Sequence, residues 1–147
     1  MKFKITVVVF SLFLIACTSN PNEKIVGKWK IVNVVHADGS KVFKFDPKWK
    51  VHPPISALSG EAFKDLFIYD GSINRLVEFR SDSLVESNAI IFDKTDYILN
   101  EKDSIIINHK APTGELLGFI SGKIMNFQER SFDLQLDSMY VLKLEKQ

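Results

Sequence analysis

The chain has 147 residues, with 19 basic and 18 acidic side chains, 46% hydrophobic residues, twelve phenylalanines and one cysteine. A charge this near balance gives neither a polyanion-binding surface nor an acidic tail, so nucleic acid is not an expected partner. One cysteine excludes an internal disulfide and a thiolate metal site, which leaves stability to core packing and backbone hydrogen bonds.

In chain order, the charged head Met1-Lys2-Phe3-Lys4 is followed by an apolar run from Ile5 to Ile15 and then by Ala16-Cys17. These are the three parts of a secretory signal. The run is too short to span a bilayer, which needs roughly 20 apolar residues. Leu14-Ile15-Ala16-Cys17 resembles the bacterial lipoprotein signal, in which the cysteine is lipidated and begins the mature chain, and the sole cysteine stands where that motif wants it. The resemblance implies a signal peptide over 1–16, lipidation at Cys17 and a membrane held through acyl chains, several of which hold far better than a single marginal one. Thr18, not an aspartate, follows the cysteine. By resemblance to lipoprotein sorting rules this implies the outer membrane of a bacterial cell envelope. Without residues 1–16 the chain loses Lys2 and Lys4, leaving 17 basic against 18 acidic side chains. Residues 17–23, polar and containing Pro21, read as a tether.

One domain is expected over 24–147, since a chain of about 130 residues buries around two thirds of its surface. Its dominant period is two, the mark of strands with one buried face. Ile25, Gly27, Trp29, Ile31 and Val35 fall on one side of the first strand and Lys28 and Lys30 on the other, with Asn33 the one polar member of the inward row. The alternation returns at Val77 and Phe79, at Tyr97 and Leu99, at Ile105 and Ile107 with His109 in the same phase, at Phe132, Leu134 and Leu136, and at Tyr140, Leu142 and Leu144. Turn signals stand at Asp38-Gly39, Asp70-Gly71, Ser81-Asp82, Asn100 to Asp103, Pro112 to Gly114 and Asp137-Ser138. The expected fold is all-β: seven to nine antiparallel strands in a meander that closes into a barrel or packs as a sandwich.

Between Ala37 and Ser72 the strand rhythm stops. A loop rich in proline and aromatics (Phe43, Phe45, Trp49, Pro53, Pro54) leads to Ser59-Gly60-Glu61-Ala62-Phe63-Lys64-Asp65-Leu66-Phe67. Ser59 suits an N-cap, Glu61 suits the positive end of the helix dipole, and Ala62, Phe63, Leu66 and Phe67 recur at helical spacing. One short helix is expected, with Phe63, Leu66 and Phe67 turned inward over one end of the barrel, as a plug that completes the core or as a lid.

Gly27-Lys28-Trp29, in the first strand and ahead of an antiparallel meander, resembles the lipocalin-like families, above all the small lipocalin-like lipoproteins of bacterial envelopes. The resemblance implies a barrel in which the tryptophan packs across the closed end and the glycine lets the chain pass beside it. The families place an arginine of the last strand on that tryptophan; the closing strand here offers Lys143.

Chemistry is sparse. His36, His52 and His109 are far apart with no paired spacing, so no metal centre is expected. In Gly118-Phe119-Ile120-Ser121-Gly122 the serine is misplaced for a nucleophile elbow. Asp133 and Asp137 alternate with buried-phase residues and read as solvated charge. The residues expected to line a ligand or fill the core are Trp29, Ile31, Asn33, Phe63, Phe67, Phe79, Tyr97 and Ile107. The expectation is binding, not catalysis, with no metal or organic cofactor: a small apolar ligand inside the barrel, or else an envelope protein bound or inhibited by a barrel filled with its own side chains. Many phenylalanines favour a filled interior, because barrels of about eight strands are often just wide enough to be packed solid. An interior cavity with inward polar groups would mark the first reading, and a solid core with an exposed aromatic patch the second.

Overall fold

A computed structural model describes residues 21–89 and 94–147. Cys17, the signal segment and most of the tether lie outside the described residues. Eight strands, β1 (Gly27–His36), β2 (Leu76–Phe79), β3 (Leu84–Ser87), β4 (Thr95–Leu99), β5 (Ser104–Lys110), β6 (Leu116–Gln128), β7 (Ser131–Leu136) and β8 (Tyr140–Lys146), pair antiparallel in chain order. β8 returns to β1 and closes the barrel. The closed antiparallel meander is the expected all-β architecture and is consistent with a lipocalin-like fold. Among the described residues no helix is long and apolar enough to cross a membrane.

The period-two rows become the core. Trp29, Ile31, Val77, Phe79, Tyr97 and Ile107 are fully buried, together with the inward residues of β7 and β8. Each such side chain contributes roughly 1.5–3 kcal/mol by leaving water. The aromatic members interlock edge to face: Trp29 on Phe132 at 4.6 Å and 77°, Phe79 on Tyr97 at 5.2 Å and 81°. At the Trp29 end a 3-10 turn, Pro21–Ile25, tucks Ile25 beneath the indole, whose Nε1 donates to the Ile25 carbonyl at 2.7 Å. Lys24 of that turn pairs with Asp103 in the β4–β5 turn. Gly27 has φ +138°, a conformation side-chain-bearing residues rarely adopt, which puts Trp29 across this end.

Three strand expectations are corrected. The β1–β8 ladder bulges between Ile31 and Asn33, which turns Val34 into the core and leaves Asn33 exposed, its Oδ1 taking the Val34 N–H. A bulge adds one residue to one side of the ladder and so reverses the inward phase beyond it. His109 keeps the phase of Ile107 but is exposed, because β5 and β6 run on there as a hairpin beyond the core and bulge at Lys110. The arginine of the lipocalin-like families, for which the closing strand offered no clear counterpart, has one in Lys146, its Nζ 5.6 Å from the Trp29 ring, because the register pairs Trp29 with Lys146 while Lys143 faces Asn33 and stays exposed.

The insertion after β1 holds one helix, α1 (Gly60–Ser72), longer than the capped segment suggested. Ser59 caps it as expected, its side chain accepting from the Ala62 N–H at 3.1 Å. Asp70 and Gly71, read as a turn, form its last turn, and the chain leaves through Ile73 and Asn74, the latter at φ +62°. The helix phase also differs from expectation. Asp65, Leu66 and Ser72 are buried and Ile68 and Tyr69 pack on the core, whereas Phe63 and Phe67 are 46% and 50% exposed. α1 caps the His36 end of the barrel with the face next to the one that carries the phenylalanines.

Candidate functional site

The phase of α1 is set by Asp65. This carboxylate, 6% exposed, is the hub of the capped end. Its Oδ1 accepts from the Tyr140 hydroxyl at 3.0 Å, and its Oδ2 accepts from the Phe43 N–H at 2.8 Å and lies 2.9 Å from His36 Nε2. A carboxylate this deeply buried is tolerated only when its oxygens are satisfied. The three partners come from the end of β1, the insertion loop and the start of β8, so one side chain ties α1 to three elements. His36 and Tyr140 face each other in the β1–β8 ladder, and their rings stack at 5.3 Å. Burial, and then the bond to Asp65, push the Tyr140 phenol up to about 12.

Beside this hub lies an open groove of about 510 Å³, lined by His36, Ser40, Glu61, Lys64, Asp65 and Tyr140 among others. A histidine on a buried carboxylate is half of an acid–base relay. The partners of His36 are Asp65 and the Tyr140 ring, and the arrangement positions the cap. Among the described residues no group of three His, Cys, Asp or Glu side chains could hold a metal ion.

The outside of the cap is apolar. Phe63 and Phe67 stack at 6.3 Å and 25°, one turn apart on α1, and with Ile55 and Leu66 they line a shallow groove of about 320 Å³. Next to it the insertion loop packs on itself through rings: Phe43 on Phe45, Phe45 on Trp49, and His52 against Phe45 at 4.6 Å. Lys44 Nζ lies over the Tyr69 ring at 5.2 Å and pins that loop to α1. Trp49, Val51 and Ile55 remain in water.

The expected site residues therefore separate into two sets. Trp29, Ile31, Phe79, Tyr97 and Ile107 come together, but as a filled core, and none of the pockets described opens among them. Asn33, Phe63 and Phe67 lie outside it. The Asp65 hub was missed by sequence reasoning: its partners stand 29 and 75 residues away, and an aspartate between Phe63 and Leu66 reads as a solvent-facing helix residue. The one available signal was Tyr140 at the head of an inward row, since a buried phenol usually finds a hydrogen-bond partner. No protein-family model matches the chain, and no curated protein or solved structure is significantly similar to it.

Proposed function

We propose that this chain is a lipid-anchored module of the bacterial cell envelope that binds another protein through the outside of its capped end, the barrel being filled and the role one of binding without catalysis or cofactor. The observation that carries this reading is the contrast between a core packed by its own aromatics and a row of exposed apolar side chains, Trp49, Val51, Ile55, Phe63 and Phe67, on the cap. Ile55, Phe63 and Phe67 line one groove, and exposed apolar surface of this kind marks an interaction site. The geometry of attachment supports it. Residues 21–25 enter beneath Trp29, while His36 and the cap lie at the far end of β1, ten residues or roughly 30 Å away at ~3.3 Å per residue. A tether at Cys17 thus leaves the cap facing away from the anchoring membrane.

A second reading, a small ligand held at the rim, is favoured by the groove beside His36 and Asp65, and the two are separable. A photo-crosslinking residue at Phe67 in cells should give a discrete protein adduct that Phe63→Ser abolishes, while the same residue at Ile98 gives none. Adducts that form equally at both positions, or at neither, defeat the interaction reading. A thermal-shift rise with fatty acids, haem or polyprenols and no adduct would favour the rim ligand. Cys17→Ser should release the protein from the membrane fraction and abolish labelling by a fatty-acid analogue. A labelled, membrane-bound variant would defeat the anchor.

A further inference from the structure

The insertion that carries the exposed apolar side chains of the cap also concentrates positive charge. Residues 41–58 hold four lysines, Lys41, Lys44, Lys48 and Lys50, and one acid, Asp46, in a chain of 19 basic and 18 acidic side chains. All four lysines are exposed, and among the described residues none of them makes an ion pair. Asp46 is engaged by its own turn: its Oδ1 takes the Lys48 N–H at 2.9 Å and its carbonyl takes the Trp49 N–H at 2.9 Å. That turn, the ring cluster of Phe45, Trp49 and His52, and the three prolines at 47, 53 and 54 hold the loop in shape before anything binds, which lowers the ordering cost of an interface.

The groove beside this loop has a direction. Phe63, Phe67 and Gly71 line it at intervals of four residues, and Leu66 and Asp70 do the same, so it follows α1 for about two turns, roughly 12 Å at ~1.5 Å per residue. Rows at this spacing are the ridges against which a second helix packs. An extended peptide would need a strand edge, whereas the main chain of α1 is bonded within the helix. Asp70 is the one charged residue lining the groove. The other charges of α1 lie elsewhere: Asp65 is buried in the hub, and Glu61 and Lys64 line the groove beside His36. The field next to the apolar strip is therefore set mainly by the lysines of the loop.

We propose that the partner of the cap presents an amphipathic helix whose apolar stripe enters the groove along α1 and whose acidic residues meet the lysines of the insertion loop. The inference rests on the reading of the cap as a protein-binding face and adds the chemistry of the partner: aliphatic residues at i, i+3, i+4 and i+7, with aspartate or glutamate on the flank toward Lys48 and Lys50. Rim charge of this kind steers encounter and selects among partners more than it holds them. A membrane with anionic headgroups also attracts lysine beside tryptophan. The apolar strip is a groove, however, and the cap points away from the proposed anchor, so a helix is the better match.

In cells, with the photo-crosslinking residue at Phe67, Lys48→Glu combined with Lys50→Glu should cut the protein adduct roughly tenfold, because two rim attractions become repulsions. Lys102→Glu combined with Lys143→Glu, an equal change of charge at exposed positions on the barrel, should leave it unchanged. An adduct that survives the loop reversal overturns the acidic partner and leaves the protein-binding reading standing; no adduct in the parent chain defeats both. The second measurement uses the full chain in phosphatidylcholine vesicles and a synthetic amphipathic helix of leucine and glutamate, with a leucine–lysine counterpart. The acidic peptide should shift Trp49 emission to the blue and its counterpart should not, against a constant background from the fully buried Trp29. Binding of both peptides alike, or of neither, overturns the proposal. So does a blue shift produced by phosphatidylglycerol in the vesicles without peptide, which would make the occupant a lipid surface.

Discussion

Gly122 and Gly27 are glycines for opposite reasons. A Cβ on Gly122 would lie 2.4 Å from the Gln135 carbonyl oxygen and 3.1 Å from Ile105, so the constraint is space between β6 and β7. Gly27 has room, its nearest neighbours being Lys146 at 3.6 Å and the Trp29 indole at 3.8 Å, and its constraint is φ. Gly122→Ala must push two bonded strands apart, and overpacking of this kind costs about 1–3 kcal/mol. Urea unfolding should show a lower midpoint with an unchanged slope, and an unchanged midpoint would mean that the ladder yields freely. The same distinction marks what was legible in the residues. Gly27-Lys28-Trp29 reads by resemblance as a glycine that makes room beside a buried ring; the ring is buried, but the glycine is required by its φ and not by space. Lys146 over Trp29, and Asn33 in water, depend on register and on a bulge, which no property of those residues taken singly reveals.

At the scale of elements, the existence of α1 was readable from Ser59 and the helical spacing beyond it, and its phase was not. Hydrophobicity alone would bury Phe63 and Phe67, but rotation of the helix is decided by the partners of Asp65, which one carboxylate finds on three other elements. Losing it should therefore detach the cap and spare the barrel. Asp65→Ala leaves the Phe43 N–H and the Tyr140 hydroxyl without their acceptor, and an unsatisfied buried group costs about 1–3 kcal/mol. Amide exchange should accelerate across Phe43 and residues 60–72, while β7 and β8 keep their protection. Uniform acceleration through the barrel would show instead that cap and barrel unfold as one unit. The strands with an alternating inward row were legible, because alternation records burial directly, but β3 and β6 were not read from such a row, and the unequal lengths of β6 and β7 were not legible either. β6 opens on a continuous apolar stretch and β7 alternates strictly, and only pairing shows where one outlasts the other.

For the molecule as a whole, the barrel carries a buried phenol, Tyr97, toward one end and a half-buried one, Tyr140, at the other, and both resist ionisation. Burial, and then the charge of Asp82, push Tyr97 up to about 12; its hydroxyl donates to the Arg80 carbonyl at 3.1 Å near the Trp29 end. Tyr140 reaches about 12 at the capped end. In the unfolded chain both titrate at the ordinary 10.0, so between the two values the unfolded state releases protons that the folded state keeps. By linkage their contribution is intact below pH 10 and is lost as pH rises toward 12. Lysines also lose charge in this window, so the pH profile of the unsubstituted protein alone does not isolate the phenols, but single substitutions do. Tyr97→Phe and Tyr140→Phe should each flatten the fall of the urea midpoint between pH 10 and 12, and the pair together should flatten it more, because the two sites share no partner and lie at opposite ends. If either variant falls as steeply as the parent, that phenol ionises freely in the folded protein, and the end of the barrel it occupies admits water.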